Sequence, residues 1–216
     1  MTTQIERFGQ ALRKHAGDFA FHLKDREVSR LSTFYGLLLK WNSQLHLVAP
    51  CSPEDFATRH ILESLFLLQH VSQEARVVDV GSGAGLPIIP CLIMRDDLRA
   101  TLIESSGKKA VFLHEALRQV TSSRPPRVIV TRFEETAAPD ADFVTCRAID
   151  RFQQVLPKLI DWAPASSTLL LFVGRSLRAQ IESLLPSAHA EQIPGSEQRF
   201  LIVAKRGTPR PEPQPR

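Results

Sequence analysis

The sequence predicts an α/β fold: a mostly parallel sheet covered by helices and preceded by a helical section. Three observations carry that expectation. From residue 77 onward, short apolar runs alternate with amphipathic stretches, the pattern of parallel strands joined by helical crossovers. The first run, 77–80, leads straight into Gly81-Ser82-Gly83-Ala84-Gly85, alternate glycines at a strand end where backbone can approach a ligand closely. Upstream of it, apolar residues recur at steps of three and four, the period of a helix.

In chain order, Val28, Leu31, Tyr35 and Leu38 mark one helix. Ser52 suits an N-cap, with Pro53 at the first helical position, Glu54 and Asp55 in the first turn, and a stripe of Ala57, Ile61, Leu65 and Leu68 behind them. Residues 1–72 are therefore assigned to an N-terminal helical extension and 73–206 to the sheet domain. Residues 207–216, rich in proline and poor in apolar side chains, are expected to be a disordered tail. Strands are expected at 77–80, 100–104, 128–131, 143–146, 169–173 and 200–204. Between them, Ala110, Leu113, Leu117 and Val120 share one side of a helix over 108–120. Phe152, Leu156 and Leu159 mark another helix, which Pro157 should kink or shorten. A helix over 176–185 precedes the last strand, and no internal repeat is visible.

Composition bounds the class. With 216 residues, 43% of them hydrophobic, the chain is long enough for one packed α/β domain with a modest appendage. The net charge of +4 is a mild basic bias, compatible with a polyanionic partner but not diagnostic of one. Cys51, Cys91 and Cys146 are odd in number and lack C-x-x-C spacing, against a disulfide framework or a structural zinc site; no metal is expected. Glu6, Arg7, Arg13 and Lys14 stand where a signal peptide needs an apolar run, and residues 169–173 are too few to span a bilayer. A soluble cytoplasmic protein, away from membranes, is the expectation.

The glycine turn points to a nucleotide cofactor. A dinucleotide fingerprint, G-x-G-x-x-G, would need glycine at Leu86. What stands there instead, Asp79 two residues before a G-x-G-x-G, resembles the first motif of S-adenosylmethionine (SAM)-dependent methyltransferases; a plain tight turn would explain one glycine but not three. In an open α/β sheet the ligand crevice lies at the carboxyl ends of the strands, so residues just after each run are the candidates. Gly81, Gly83 and Leu86 follow the first. Glu104 ends the second, nineteen residues past Gly85, near the offset at which an acid meets a ribose diol; an exposed capping acid is its plain alternative. After the third, Phe133 could offer a backbone N–H to an adenine ring and Glu134 a carboxylate to its amine, or the acids could simply start a short helix. Cys146 and Arg147 close the fourth. Cys146 could be a nucleophile for pyrimidine C5 methylation or an inert core thiol. Arg147 could pair with the methionine carboxylate, a phosphate or a guanine edge, or form a surface ion pair with Asp150. The Asn/Asp-Pro-Pro-Tyr/Phe signature of exocyclic amino methylation is absent after this strand.

With the glycine turn, Leu86-Pro87-Ile88-Ile89-Pro90, the stretch Thr101 through Lys109, Leu39-Lys40-Trp41-Asn42 with Leu45 and Leu47, and His60-Ile61-Leu62-Glu63-Ser64-Leu65, the chain resembles the GidB family (glucose-inhibited division protein B) over roughly residues 37–147. That family comprises bacterial 16S ribosomal RNA guanine-N7 methyltransferases. The resemblance implies a Rossmann-like class I SAM-dependent methyltransferase sheet of about seven strands. It also implies SAM as cofactor, 16S ribosomal RNA or the small ribosomal subunit as partner, and cofactor contacts at Gly81, Leu86, Phe133, Glu134 and Arg147. The sequence departs from the family in having Glu104 where aspartate is usual, and Phe172-Val173-Gly174-Arg175 where Leu-Lys-Gly is usual. Arg175 could replace the missing lysine's charge.

Guanine N7 has an in-plane lone pair and no proton, so no general base is required and no catalytic side chain is assigned. Alignment of nucleophile, methyl and sulfur carries the rate, an effect worth roughly 7–11 kcal/mol in favourable cases. Lys108, Lys109, Arg118, Arg124 and Arg127 could bind RNA phosphates or be a solvated helix face. Arg59, His60 and Glu63 are expected on one polar helix face. The alternatives are methylation of a small molecule or of RNA pyrimidine C5, or a protein that holds SAM without turnover. A monomer is the default.

Overall fold

The computed structural model describes residues 3–120, 125–147 and 152–206. Helix α1 (Gln4–His15) starts in a capping box in which Thr3 Oγ1 accepts from Glu6 N–H and Glu6 accepts in return from Thr3 N–H. It was not anticipated from the sequence. Phe8, Ala11 and Leu12 form its short apolar stripe, and the Phe8 ring stacks on Tyr35 at 4.4 Å between centroids. Helix α2 (Asp25–Leu45) buries the expected Val28, Leu31, Tyr35 and Leu38. Ser52 caps α3 (Pro53–Asp55) by accepting from Asp55 N–H at 3.0 Å, with Pro53 at the first helical position. The helix then widens into a π-helical stretch, Phe56–Leu62, before α4 (Glu63–Phe66) and a closing 3₁₀ turn, Leu67–Gln69. The expected stripe is buried at Ala57, Ile61 and Leu65, while Leu68 is half-buried.

The sheet has strands β1 (Arg76–Val80), β2 (Arg99–Glu104), β3 (Arg127–Val130), β4 (Phe143–Arg147), β5 (Thr168–Gly174), β6 (His189–Gln192) and β7 (Arg199–Lys205), in the order β3-β2-β1-β4-β5-β7-β6. The ladders from β3 to β5 are parallel, and β7 runs antiparallel to both neighbours. Six strands fall within a residue of the expected runs. Strand β6 is an edge strand of half-buried and exposed residues without an apolar alternation to betray it.

Helices cover both faces. On one, α2, α5 (Ile88–Met94) and α6 (Gly107–Val120) pack with α1, α4 and the π-helical stretch over Val77, Ala100 and Leu102. On the other, α7 (Phe152–Trp162) and α8 (Arg175–Leu184) cover Val78, Val80, Val144 and Leu171. Residues next to each other in a strand therefore serve opposite layers, the period-two consequence of the pleat. Of the expected kink or shortening at Pro157, the shortening does not occur: α7 continues past the proline to Trp162. The carbonyl a proline leaves without its helical donor is four residues back, at Gln153, and the Gln180 side-chain amide of α8 donates to it at 3.4 Å. Among the described residues no helix is long and apolar enough to cross a membrane.

Candidate cofactor-binding site

Strand β1 ends at the carboxyl edge of the sheet and turns through three glycines in the left-handed region, Gly81 at φ 73°, Gly83 at 49° and Gly85 at 74°. Gly81 and Ser82 donate their N–H groups to Ile103 O at 2.9 and 3.1 Å, which ties the turn to β2. The glycines do different work. A Cβ on Gly83 would meet only Gly81 O, at 3.6 Å, so that face lies open. A Cβ on Gly85 would sit 2.3 Å from Ile89 Cδ1, so Gly85 is needed for α5 to pack under the turn. Glu104 braces the open face: one carboxylate oxygen accepts from Gly83 N–H and the other from Ser106 N–H, both at 2.8 Å. A carboxylate has about four acceptor positions, so capacity remains for a neighbouring diol.

A cleft of about 560 Å³ opens over this turn, and all seven residues expected at the cofactor border it: Gly81, Gly83, Leu86, Glu104, Phe133, Glu134 and Arg147. Their side chains are not equivalent. Phe133 turns its ring inward, edge-on to Trp162 at 5.5 Å, leaving its backbone to the cleft. Glu134 is exposed. Leu47, Val48, Ala49, His60, Lys109 and Arg132 also line the cleft and were not expected there. Leu47 to Ala49 are held by Asn42, whose side-chain amide donates to Val48 O at 3.0 Å and accepts from Val48 N–H at 2.9 Å. That closed pair gives the Leu39-Lys40-Trp41-Asn42 segment a physical purpose in the cleft wall.

Arg147 is anchored from the N-terminal helices. Its guanidinium donates to Arg59 O at 2.7 Å and Ser64 Oγ at 3.2 Å, faces the Phe172 ring at 5.4 Å, and lies 3.7 Å from the Glu63 carboxylate. Among the described residues its ionic partner is Glu63; Asp150 lies outside them. Glu63 is buried, which corrects the expectation that it shares a polar surface with Arg59 and His60. Burial raises the Glu63 carboxyl above its ordinary value, with Arg147 and Arg199 pulling the other way. His60 is half-buried against Phe56, and burial, with the charges of Arg147, Arg59 and Arg199, pushes its pKa down to about 4, so it is neutral at pH 7. Arg199, which no motif singles out, donates from Nε to Glu63 Oε2 at 2.9 Å.

Cys146 is fully buried in the layer beneath α7 and does not border the cleft. Arg175 caps the β5–α8 corner, donating to Glu197 O at 3.0 Å, and is likewise away from the cleft. Asp79 is buried on the α5 side of β1, where the nearby Ser82 hydroxyl donates to its backbone carbonyl; burial pushes its pKa up to about 7, with Ser82 pulling the other way and the charge of Glu104 adding to the rise. Among the described residues no three His, Cys, Asp or Glu side chains cluster to hold a metal ion.

Residues 27–205 match the family model described as GidB, rRNA small subunit methyltransferase G. The chain belongs to the GidB family. A ribosomal RNA small subunit methyltransferase G from Xanthomonas axonopodis pv. citri is 35% identical over 184 residues, covering 82% of this chain and 86% of that one. One from Paracoccus denitrificans is 34% identical over 157 residues, covering 72% and 81%. Among solved structures, a SAM-dependent methyltransferase from Aquifex aeolicus aligns with a TM-score of 0.53 at 13% identity, covering 69% of this chain and 92% of that one, a likeness of fold alone. The GidB sheet here is thus the seven-stranded, mostly parallel SAM-dependent methyltransferase sheet, with helices ahead of its first strand. SAM is the cofactor that family membership brings.

Proposed function

We propose that this chain transfers a methyl group from SAM to N7 of a guanine in small-subunit (16S) ribosomal RNA. The observation that carries the reading is the glycine turn with its open Gly83 face and braced Glu104, in a chain whose residues 27–205 match the GidB family. The donor set suits SAM. Gly81 and Gly83 offer backbone to the amino-acid end, and Leu86 an apolar wall. Glu104 meets the ribose hydroxyls; Phe133 N–H and the Glu134 carboxylate face the adenine edge, and Arg147 takes the carboxylate. When bound, SAM supplies an electrophilic methyl on a cationic sulfur.

The protein's own task is alignment and charge control. As N7 attacks, positive charge moves to the purine, so a cation beside the ring would oppose the reaction. His60 is uncharged at neutral pH and so brings no cation toward the base, and Arg147 is committed to the donor's carboxylate rather than to the ring. Lys109 and Arg132 line the cleft. With the exposed Lys108, Arg118 and Arg127 they offer contacts to RNA phosphates; Arg124 lies outside the described residues. A cytoplasmic monomer acting on the ribosomal small subunit completes the reading.

The test uses small subunits from cells lacking the enzyme, incubated with labelled SAM and the protein, followed by RNA digestion and mass spectrometry. Label is expected in N7-methylguanosine. Label in 5-methylcytidine would replace this reading with C5 chemistry, and SAM binding without label would make the chain a non-catalytic binder.

A further inference from the structure

Two guanidiniums converge on one carboxylate beside the cleft. The Glu63 side chain is only 3% exposed; its Oε2 accepts from Arg199 Nε at 2.9 Å, and its Oε1 lies 3.7 Å from Arg147 Nη2. Arg199 opens β7, Glu63 opens α4 and Arg147 closes β4, so the cluster joins the N-terminal helices to two strands of the sheet. Arg59, the other nearby cation, is exposed and faces Asp55 at 3.9 Å. Among the described residues the cluster therefore sets two positive charges, Arg147 well buried and Arg199 half-buried, against one negative.

An unmatched charge in a partly dehydrated setting is costly unless an anion completes it. Of the two arginines, Arg147 is the one that borders the cleft. It is also the one held at the longer distance from Glu63, while Arg199 has the close hydrogen bond. Glu104, the acidic side chain bracing the glycine turn, is already engaged by the Gly83 and Ser106 amides. An anionic ligand entering the cleft beside Arg147 would complete the set.

We propose that Glu63 is a positioning residue that aims Arg147 at the carboxylate of the methyl donor, with Arg199 as the strut that holds Glu63 from the last strand. The proposal rests on the reading of Arg147 as the donor's carboxylate partner and adds what fixes it there. Glu63 does not border the cleft. It acts through the guanidinium, whose other ties are hydrogen bonds to Arg59 O, His60 O and Ser64 Oγ from one composite helix and the Phe172 ring beneath it; none of these carries a charge. Without the carboxylate, Arg147 and Arg199 repel and the fork is no longer held in place.

The sign of the effect separates positioning from bulk electrostatics. Removing a negative charge near an anion site should tighten anion binding if charge alone matters; loss of positioning weakens it. The experiment is calorimetric titration of wild type, Glu63→Gln, Glu63→Asp and Arg199→Gln with S-adenosylhomocysteine, which carries the carboxylate, and with 5′-methylthioadenosine, which keeps the adenosine and lacks the amino-acid end. Wild type is expected to prefer S-adenosylhomocysteine. Glu63→Gln should bind it about 10-fold more weakly, the scale of one charge-assisted hydrogen bond, with methylthioadenosine unchanged. Glu63→Asp should restore the preference, and Arg199→Gln should show a smaller loss in the same direction.

Equal or tighter S-adenosylhomocysteine binding by Glu63→Gln would overturn the proposal. Parallel loss of both ligands would make the cluster a folding element and overturn it too. If wild type binds the two ligands alike and Glu63→Gln instead weakens binding of 16S RNA, the unmatched charge serves a phosphate and the proposal fails. Wild-type protein binding neither ligand would sink the donor reading itself, a distinguishable result.

Discussion

Asp79 and His60 titrate in opposite senses, and the protein's acid and alkaline stability should separate them. Asp79 holds its proton in the folded protein up to about pH 7, whereas the ordinary value is 3.8. Folding therefore takes up a proton between these values, so its contribution to stability falls as pH rises through the window and the full cost is present above it. His60 stays neutral in the folded protein down to about pH 4 against an ordinary 6.5. Its contribution is intact above 6.5 and is lost as pH falls toward 4. Asp79→Asn should thus be more stable than wild type at pH 8 by a few kcal/mol at most, with the advantage gone at pH 4, as read by urea denaturation across pH. Superimposable profiles would show that Asp79 is not buried as a proton-holding acid. The sequence displayed this residue as part of a motif. Its burial depends on which face of β1 meets α5, which a motif does not state.

At the scale of elements, legibility tracked the locality of the cause. The Ser52-Pro53 helix start is a contact between near neighbours, and it was readable. So were the core strands, whose side chains are buried in both layers and read as continuous apolar runs. Helix α5 was not: all its residues from Ile88 to Ile93 are buried, so no polar face reveals a period. Glu63 was misplaced on a surface because its hydrogen-bonded partner Arg199 lies 136 residues away. The three glycines looked alike in sequence, and only packing separates them. Gly85→Ala should cost about 2–4 kcal/mol in chemical denaturation, because the added methyl meets Ile89 at 2.3 Å and the residue must keep φ at 74°. A loss below about 0.5 kcal/mol, the range of neutral surface changes, would show that α5 does not press on the turn.

Across the whole molecule, the sheet supplies the edge and the N-terminal helices supply much of the wall. Leu47 to Ala49 and His60 come from before the first strand, yet they border the same cleft as the glycine turn and Glu104. The core on that side of the sheet is continuous from Phe8 through Leu38 and Leu65 to Leu102 and Leu117. The site is therefore assembled from both parts of the chain. Local sequence disclosed the sheet's share, residues at strand ends. The helices' share depends on their docking and on Asn42 pinning Val48, which no spacing reveals.

The central claim is that the open side of the glycine turn receives the methyl donor. Its most direct test is a calorimetric titration of wild type and Gly83→Val with S-adenosylhomocysteine, alongside thermal melts of both without ligand. Wild type should bind with one site per chain, and Gly83→Val should lose at least about 10-fold in affinity while remaining folded at a lower melting temperature, because its side chain fills the space that Gly83 leaves open and must hold φ near 49°. Unaltered affinity in folded Gly83→Val, or no binding by wild type, would contradict it.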